Sequence, residues 1–501
     1  MTMTAALVSL LLAAPGGAPA DAVRARYHAA HASEMGPLLR EALRFQTVKG
    51  NVAAREAQQA WLRRVAGGLG LQVRDAGLVT EVELPGPAGA PVLGLVVHGD
   101  VQPVNETEWS VPPFAGVEKE GVVWGRGAAD DKGPMVQALL ALAALKEAGP
   151  ARTHTVRLLV GSDEESDNLD IASYLKEHAA PQLSLVLDSD FPVVVGEKAW
   201  NALTLEAADP YTPRGGGGPW LVTSLSAGLA TSIVPARAAA TLEWRGDRAR
   251  IGKAAAGLRR PPADGLAIEV SAEGTRATVT ATGRAAHSGM NLEGGRNALV
   301  FLARTLEGQL QASGAADLLA FAAQAGQDLS GGGLGIADDD PLWGRYAVNV
   351  ATVKPVEGGL ALTINLRRVP PRTGPELQAH LEKRVAEWNA AHGSRLVSKD
   401  SFWGDEPLVF DPAGKLVKRL LADYERATGV REKPAISGGG TYAKRLPNSI
   451  AFGMWFQGKP YPGHDTDEHI TLADLHKGVD VLIEALVDLA CSPPLVEPFK
   501  P

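Results

Sequence analysis

The stretch that decides the fold is Val92–Asp100, VLGLVVHGD. An uninterrupted apolar run, of the kind that suits a strand buried on both faces, stops at the polar trio His98-Gly99-Asp100. The arrangement recurs along the chain. Val156–Val160 (VRLLV) runs into Asp163-Glu164-Glu165, Leu183–Leu187 (LSLVL) into Asp188, and Ile450–Phe456 (IAFGMWF) through a Gly/Pro loop to His464. Helical segments lie between, notably Met135–Ala148, which follows Pro134 and stops at Gly149-Pro150. This alternation predicts an α/β sheet with helices on both faces. Ligands of such sheets sit outside the carboxyl ends of the strands, where all four polar clusters would fall.

Each cluster alone has an ordinary reading. His98 and Asp100 could be a local hydrogen-bonded pair, Glu164-Glu165 a solvated loop, and Asp130-Asp131-Lys132 a helix N-terminus. Together they would gather two imidazoles and several carboxylates at one sheet edge with few local cations, and a divalent metal is the natural counter-charge. Cys491 is the only cysteine, so metal ligands must be His and carboxylate. Such a set suits a pair of zinc or similar ions bridged by one carboxylate, able to lower the pKa of a shared water and polarise a carbonyl. Glu164 and Glu165 are expected to leave an extended backbone in opposite directions, one toward metal and one toward substrate. Asp100 is expected to orient the His98 imidazole.

The remaining composition narrows the class. The 501 residues are 45% hydrophobic and 21% charged, which excludes disorder and leaves room for two domains. A net charge of −8 without a Lys/Arg block excludes an electrostatic nucleic-acid footprint. Ala5–Ala14 (AALVSLLLAA), followed by Ala18-Pro19-Ala20, reads as a signal peptide over residues 1–20, too short to span a bilayer. If it is cleaved the protein is exported to the periplasm or beyond, without a membrane anchor; otherwise it is cytoplasmic.

The ordered series His98-Gly99-Asp100, Gly125-Arg126-Gly127-Ala128-Ala129-Asp130-Asp131-Lys132-Gly133-Pro134, Gly161-Ser162-Asp163-Glu164-Glu165, Asp188-Ser189-Asp190-Phe191-Pro192 with Gly196-Glu197-Lys198, and Gly463-His464 before Glu468 resembles the M20 metallopeptidases. Within them it is most like the bacterial dipeptidases of the PepV type. The resemblance implies a zinc-peptidase-like α/β catalytic domain with a mixed, largely parallel sheet, interrupted by an inserted α+β lid. Its parts would be residues 21–199 and 406–501 for the catalytic domain and 200–405 for the lid. The resemblance also implies two divalent ions, zinc with manganese or cobalt as alternatives. His98 and Asp188 would hold one ion, Glu165 and His464 the other, and Asp130 would bridge them, with a cis peptide after it. Glu164 would be the general base. In the lid, His287 would stabilise the oxyanion and Arg367 would bind the substrate carboxylate. The turn Ser437-Gly438-Gly439-Gly440-Thr441 would offer amides to that carboxylate.

On the residues alone, His287 could equally be a surface histidine, Arg367 a strand-end charge and the glycine run a flexible loop. The sequence departs from the family pattern at Ser232, Leu292, Gly295 and Asn297, and His469 stands where an aromatic is common. The expected activity is hydrolysis of unblocked dipeptides by a monomer, with a small peptide as its partner. Asp163 and Asp190 are expected to form an acidic wall for the substrate ammonium. The alternatives are an N-acyl amino acid deacylase, a carboxypeptidase, or a secreted binding protein that keeps the cleft without catalysis.

Overall fold

The structure, a computed structural model, describes residues 17–495. Most of the signal-peptide segment, residues 1–16, lies outside the described residues. The helix Gly17–Ala30 passes through the expected cleavage point and buries Ala20 completely. Among the described residues no helix is long and apolar enough to cross a membrane.

Two sheets organise the chain. The first has the order Gln72–Ala76, Val79–Leu84, Thr155–Gly161, Val92–His98, Leu183–Val186, Ser449–Ala451, Val194–Glu197, Leu408–Val409, with Ala435–Ser437 also pairing Val194–Glu197. It is mixed: the four middle strands from Thr155–Gly161 to Ser449–Ala451 are parallel, and the margins are antiparallel except for Ala435–Ser437, which runs parallel to Val194–Glu197. Burial explains the uniform apolar runs, since Leu93–His98 has no exposed position. The helix Lys132–Ala148 is buried from Lys132 through Leu145 because Gly17–Ala30, Met35–Leu43 and Leu472–Ala490 all pack on it. A helix covered on so many sides reads apolar all round. The expected strand Ile450–Phe456 is two strands, Ser449–Ala451 and Met454–Trp455. It breaks at Gly453, whose φ of 75° leaves the extended region and whose missing side chain makes room for the Phe191 ring.

The second sheet is antiparallel, in the order Ala267–Glu273, Arg276–Thr282, Arg237–Trp244, Trp220–Ala227, Ala347–Val356, Gly359–Arg368, Ala199–Ala208, Val397–Ser398. Its two four-stranded halves meet through the single pair Ala227↔Val353. Alternation along its strands puts Leu203, Val222, Leu242, Val279 and Leu362 into a core closed by the helices Ala298–Leu306, Gly314–Ala325 and Gly374–His392. The first core takes its buried residues from Ala20–Val195 and Leu408–Ala490, and the second from Leu203–Leu396. The second unit is therefore inserted within the first. Its entry and exit segments run side by side, joined by the Ala202↔Phe402 bridge.

Candidate metal centre and substrate cleft

Carboxyl ends of the parallel strands supply the site. His98 is the last residue of Val92–His98, Asp188 follows Leu183–Val186, and Glu164 and Glu165 follow Thr155–Gly161. Asp130 stands in the turn before Lys132–Ala148, and His464 lies in the loop after Met454–Trp455. Two groups of possible ligand atoms result, His98/Asp130/Asp188 and Asp130/Glu165/His464, each within 4.8 Å. Asp130 belongs to both: Oδ1 lies 3.0 Å from His98 Nε2, and Oδ2 lies 3.2 Å from His464 Nε2. Asp188 Oδ2 is 3.8 Å from His98 Nε2, and Glu165 Oε1 is 2.8 Å from His464 Nε2. The Asp130–Asp131 peptide is cis.

The surroundings aim these groups. His98 Nδ1–H donates to the Asp100 carbonyl at 3.0 Å, leaving Nε2 as the imidazole lone pair that faces the carboxylates. The Asp100 carboxylate stands 3.6 Å from His98 Nδ1 and, beyond the expected part in orienting that ring, accepts the amides of Glu164 at 3.2 Å and Glu165 at 3.0 Å. Glu164 and Glu165 sit in a turn rather than on extended backbone, so Asp100 supplies the constraint that a strand would have given. Glu468, fully buried, accepts from Arg126 Nη1 at 2.7 Å and from the amides of Gly127, Ala129 and Asp130 at 3.1, 2.8 and 3.1 Å. It ties the His464 loop to the Asp130 turn across the inserted unit.

The donor set fits a pair of divalent cations. Among the described residues no Lys or Arg lies within ion-pair distance of Asp130, Glu164, Glu165 or Asp188, although Asp130 and Glu165 are nearly buried. Burial and the neighbouring Asp131 and Asp130 push the Asp188 carboxyl well above its usual range. Burial, with Asp188 and Glu165 adding to it, does the same to Glu164 against the pull of His98. Asp131 Oδ1 is buried with no hydrogen-bond partner. Divalent metal bound among them would supply the charge that these carboxylates lack.

The inserted unit closes over this centre. Gly289 and Gly438 stand backbone to backbone, so close that a Cβ on Gly438 would lie 1.8 Å from the Gly289 carbonyl oxygen. Only glycine fits there, and the contact sets the His287 ring 4.4 Å from that of His464. Nδ1 of His287 accepts the amides of Gly289 at 3.1 Å and Met290 at 2.9 Å, which places the ring proton on Nε2. Burial, with His464 and Arg367 nearby, holds the ring well below the usual imidazole range, so it stays neutral.

A cleft of about 580 Å³ opens beside the centre, lined by Glu164, Glu165, His287, His464, Arg367 and Gly440 among others. A smaller space of about 40 Å³ adjoins it, bounded by Asp130, Asp188, Met290 and Tyr461. The cleft therefore carries both acidic and basic groups. Arg367 is 5% exposed, its Nε has no partner, and among the described residues the guanidinium forms no ion pair. Burial lowers it to about 10, which leaves it charged near neutrality. Lys444 also reaches the cleft but is held by Asp405 at 2.7 Å.

Other expected positions fall differently. Gly438 lines neither space, the Gly439 amide goes to Ser437 Oγ at 3.0 Å, and the Thr441 amide goes to Glu197 at 3.1 Å. Gly440 keeps an amide with no acceptor among the described residues. Asp163 caps the following turn through Leu169 N and Ser166 Oγ, and neither it nor Asp190 lines the cleft, so the expected acidic wall is absent there. Asn297 caps Ala298–Leu306 and Leu292 packs with Val234 and Ala286, which gives both a structural role. His469 stacks on Trp124 at 4.2 Å, away from the centre. Ser232 meets Gln102 Nε2 at 3.2 Å, and Gln102 holds Glu165 Oε2 at 2.9 Å. Sequence reasoning missed Gln102 and Tyr461, although Tyr461 between two prolines just before Gly463-His464 was a usable signal.

Fold and site define a hydrolase whose cleft runs from a centre built for metal to a buried cation. The description of the peptidase family M20/M25/M40 matches residues 94–488, and the chain belongs to that family. It is a metallopeptidase. The Beta-Ala-Xaa dipeptidase of Lactobacillus delbrueckii subsp. lactis is 29% identical over 404 residues, covering 80% of this chain and 83% of the relative. Human carnosine dipeptidase 1 shares the fold at a TM-score of 0.59 and 12% identity, over 95% of this chain and 99% of its own. The di-peptidase Dug1p of Saccharomyces cerevisiae does so at 0.59 and 13%, over 93% and 98%.

Proposed function

We propose that this chain is a two-metal dipeptidase acting on unblocked dipeptides, with zinc as the first choice of ion and manganese or cobalt as alternatives. His98 and Asp188 would hold one ion, Glu165 and His464 the other, with Asp130 shared. When bound, such a pair polarises the scissile carbonyl and lowers the pKa of the attacking water. Glu164 takes the proton from that water on its carboxylate and passes it to the leaving amine. His287 donates Nε2–H to the oxygen that gains charge, and Arg367 with the Gly440 amide binds the substrate carboxylate. Action as a monomer is part of this reading, since His287 of the inserted unit stands 4.4 Å from His464 of its own chain.

The observation that carries the reading is the buried, unpaired Arg367 on the same cleft as Glu165 and His464 of the second ligand group. An anion must satisfy it, and a carboxylate at that end sets how many residues fit before the scissile bond reaches the centre. The relative named for Beta-Ala-Xaa hydrolysis is in accord with a dipeptide substrate.

The test is substrate length. An unblocked dipeptide such as Ala-Leu or β-Ala-His gives kcat/KM at least ~10²-fold above the matching tripeptide or N-acetylated dipeptide, because with the carboxylate held on Arg367 an added residue or acyl group shifts the scissile carbonyl away from the ligand groups or must find room past them. Arg367→Ala erodes the preference chiefly through KM. Equal rates on tripeptides, or faster hydrolysis of N-acetyl amino acids, overturn the dipeptidase reading in favour of a carboxypeptidase or deacylase.

A further inference from the structure

The cleft beside Arg367 carries an apolar wall that catalysis does not use. Trp200 and Arg367 are directly opposed in the antiparallel ladder of Ala199–Ala208 with Gly359–Arg368, so their side chains leave the same face of the sheet. The Trp200 ring packs on Phe402, with centroids 4.7 Å apart and planes 33° from one another. Both rings line the cleft that Arg367 lines, and so does Leu169 at the start of the helix Leu169–Glu177. Phe402 is 37% exposed and Leu169 54% exposed. Apolar groups left open in a charged cleft mark a surface that another apolar group covers.

The wall is also held in place. The Trp200 amide donates to Asp405 Oδ2 at 2.6 Å, and the same oxygen accepts Lys444 Nζ at 2.7 Å. Phe402 is fixed to Ala202 by a pair of backbone hydrogen bonds, Phe402 N to Ala202 O at 2.8 Å and Ala202 N to Phe402 O at 2.9 Å. Preorganised aromatic surface gives contact area at little entropic cost.

We propose that Trp200, Phe402 and Leu169 form the site for the side chain of the substrate's carboxyl-terminal residue, and that the enzyme selects apolar and aromatic residues there. The inference rests on the dipeptidase reading, since Arg367 must hold that residue's carboxylate. A side chain leaving the α-carbon next to a carboxylate on Arg367 starts beside the Trp200 ring, its cross-strand neighbour. The competing occupant is an acidic side chain, because Lys444 and Arg445 also stand on this cleft. Lys444 is already paired with Asp405, which leaves less charge to reward one.

The experiment is a series of dipeptides with one amino-terminal residue, Ala-Gly, Ala-Leu, Ala-Phe, Ala-Glu and Ala-Lys, hydrolysed by the metal-loaded full chain. Ala-Leu and Ala-Phe exceed Ala-Gly and Ala-Glu in kcat/KM by roughly 10–100-fold, the range that apolar pockets deliver. In Trp200→Ala and in Phe402→Ala the ratio of Ala-Phe to Ala-Gly contracts toward unity through the KM of Ala-Phe, with a thermal melt showing that each variant is folded. A flat series, fastest turnover of Ala-Glu, or an unchanged ratio in both variants overturns this inference and leaves the dipeptidase reading standing. Hydrolysis of none of the dipeptides overturns both.

Discussion

Glu164→Gln keeps its full complement of metal and loses kcat by roughly 10²–10⁴-fold, the usual contribution of a positioned general acid–base. Glu164 belongs to neither ligand group, yet it lines both the cleft and the small space beside the ligands. Its carboxyl is pushed well above its usual range by burial and by Asp188 and Glu165, and a raised carboxyl suits a group that must give up a proton as readily as it takes one. Its neighbour Glu165 is spoken for, by His464 and by Gln102. Asp100 holds the two amides side by side and so keeps the two side chains from exchanging places. Metal analysis beside steady-state kinetics checks the assignment. If the Glu164 variant loses metal while Glu165→Ala retains both ions, the roles are reversed.

His287→Ala lowers kcat by roughly 10²–10³-fold and changes KM less, the signature of a donor used in the transition state. Two backbone amides occupy Nδ1, so the neutral ring carries its hydrogen on Nε2, facing the cleft. Gly289, which supplies one of those amides, is also the residue wedged against Gly438. The contact between the inserted unit and the catalytic unit and the orientation of the donor therefore share one residue. The prediction extends to Gly438→Ala, which cannot make the contact and should show the same kcat-weighted loss. An unchanged kcat in His287→Ala removes that side chain from the reaction.

Much of this was legible in the sequence because its signals are local. Apolar runs that end in His98, Asp188 or the Glu164-Glu165 pair announce buried strands and put their polar ends on one edge, whatever the rest of the chain does. What could not be read depends on pairings distant in sequence. Glu164 and Glu165 were expected on extended backbone and lie in a turn held by the Asp100 carboxylate. Asp163 was expected to face an ammonium and instead caps the turn before Leu169–Glu177. The apolar run Ile450–Phe456 gave no sign that Phe191 would occupy the space at Gly453. Trp200 and Phe402 lie at opposite ends of the inserted unit and meet only because its entry and exit strands run together. No periodicity records such a juxtaposition.

We infer that five side chains, from the ends of parallel strands and the loops beside them, hold two ions and that the loaded centre cuts unblocked dipeptides. The direct measurement is a zinc titration of the chelator-stripped protein, reading bound metal and Ala-Leu hydrolysis in the same samples. The account predicts two ions per chain, with hydrolysis reaching its plateau only as the second equivalent is bound, because Asp130 gives one oxygen to each ligand group. A plateau at one equivalent, or a chain that binds two ions and leaves every unblocked dipeptide intact, would contradict it.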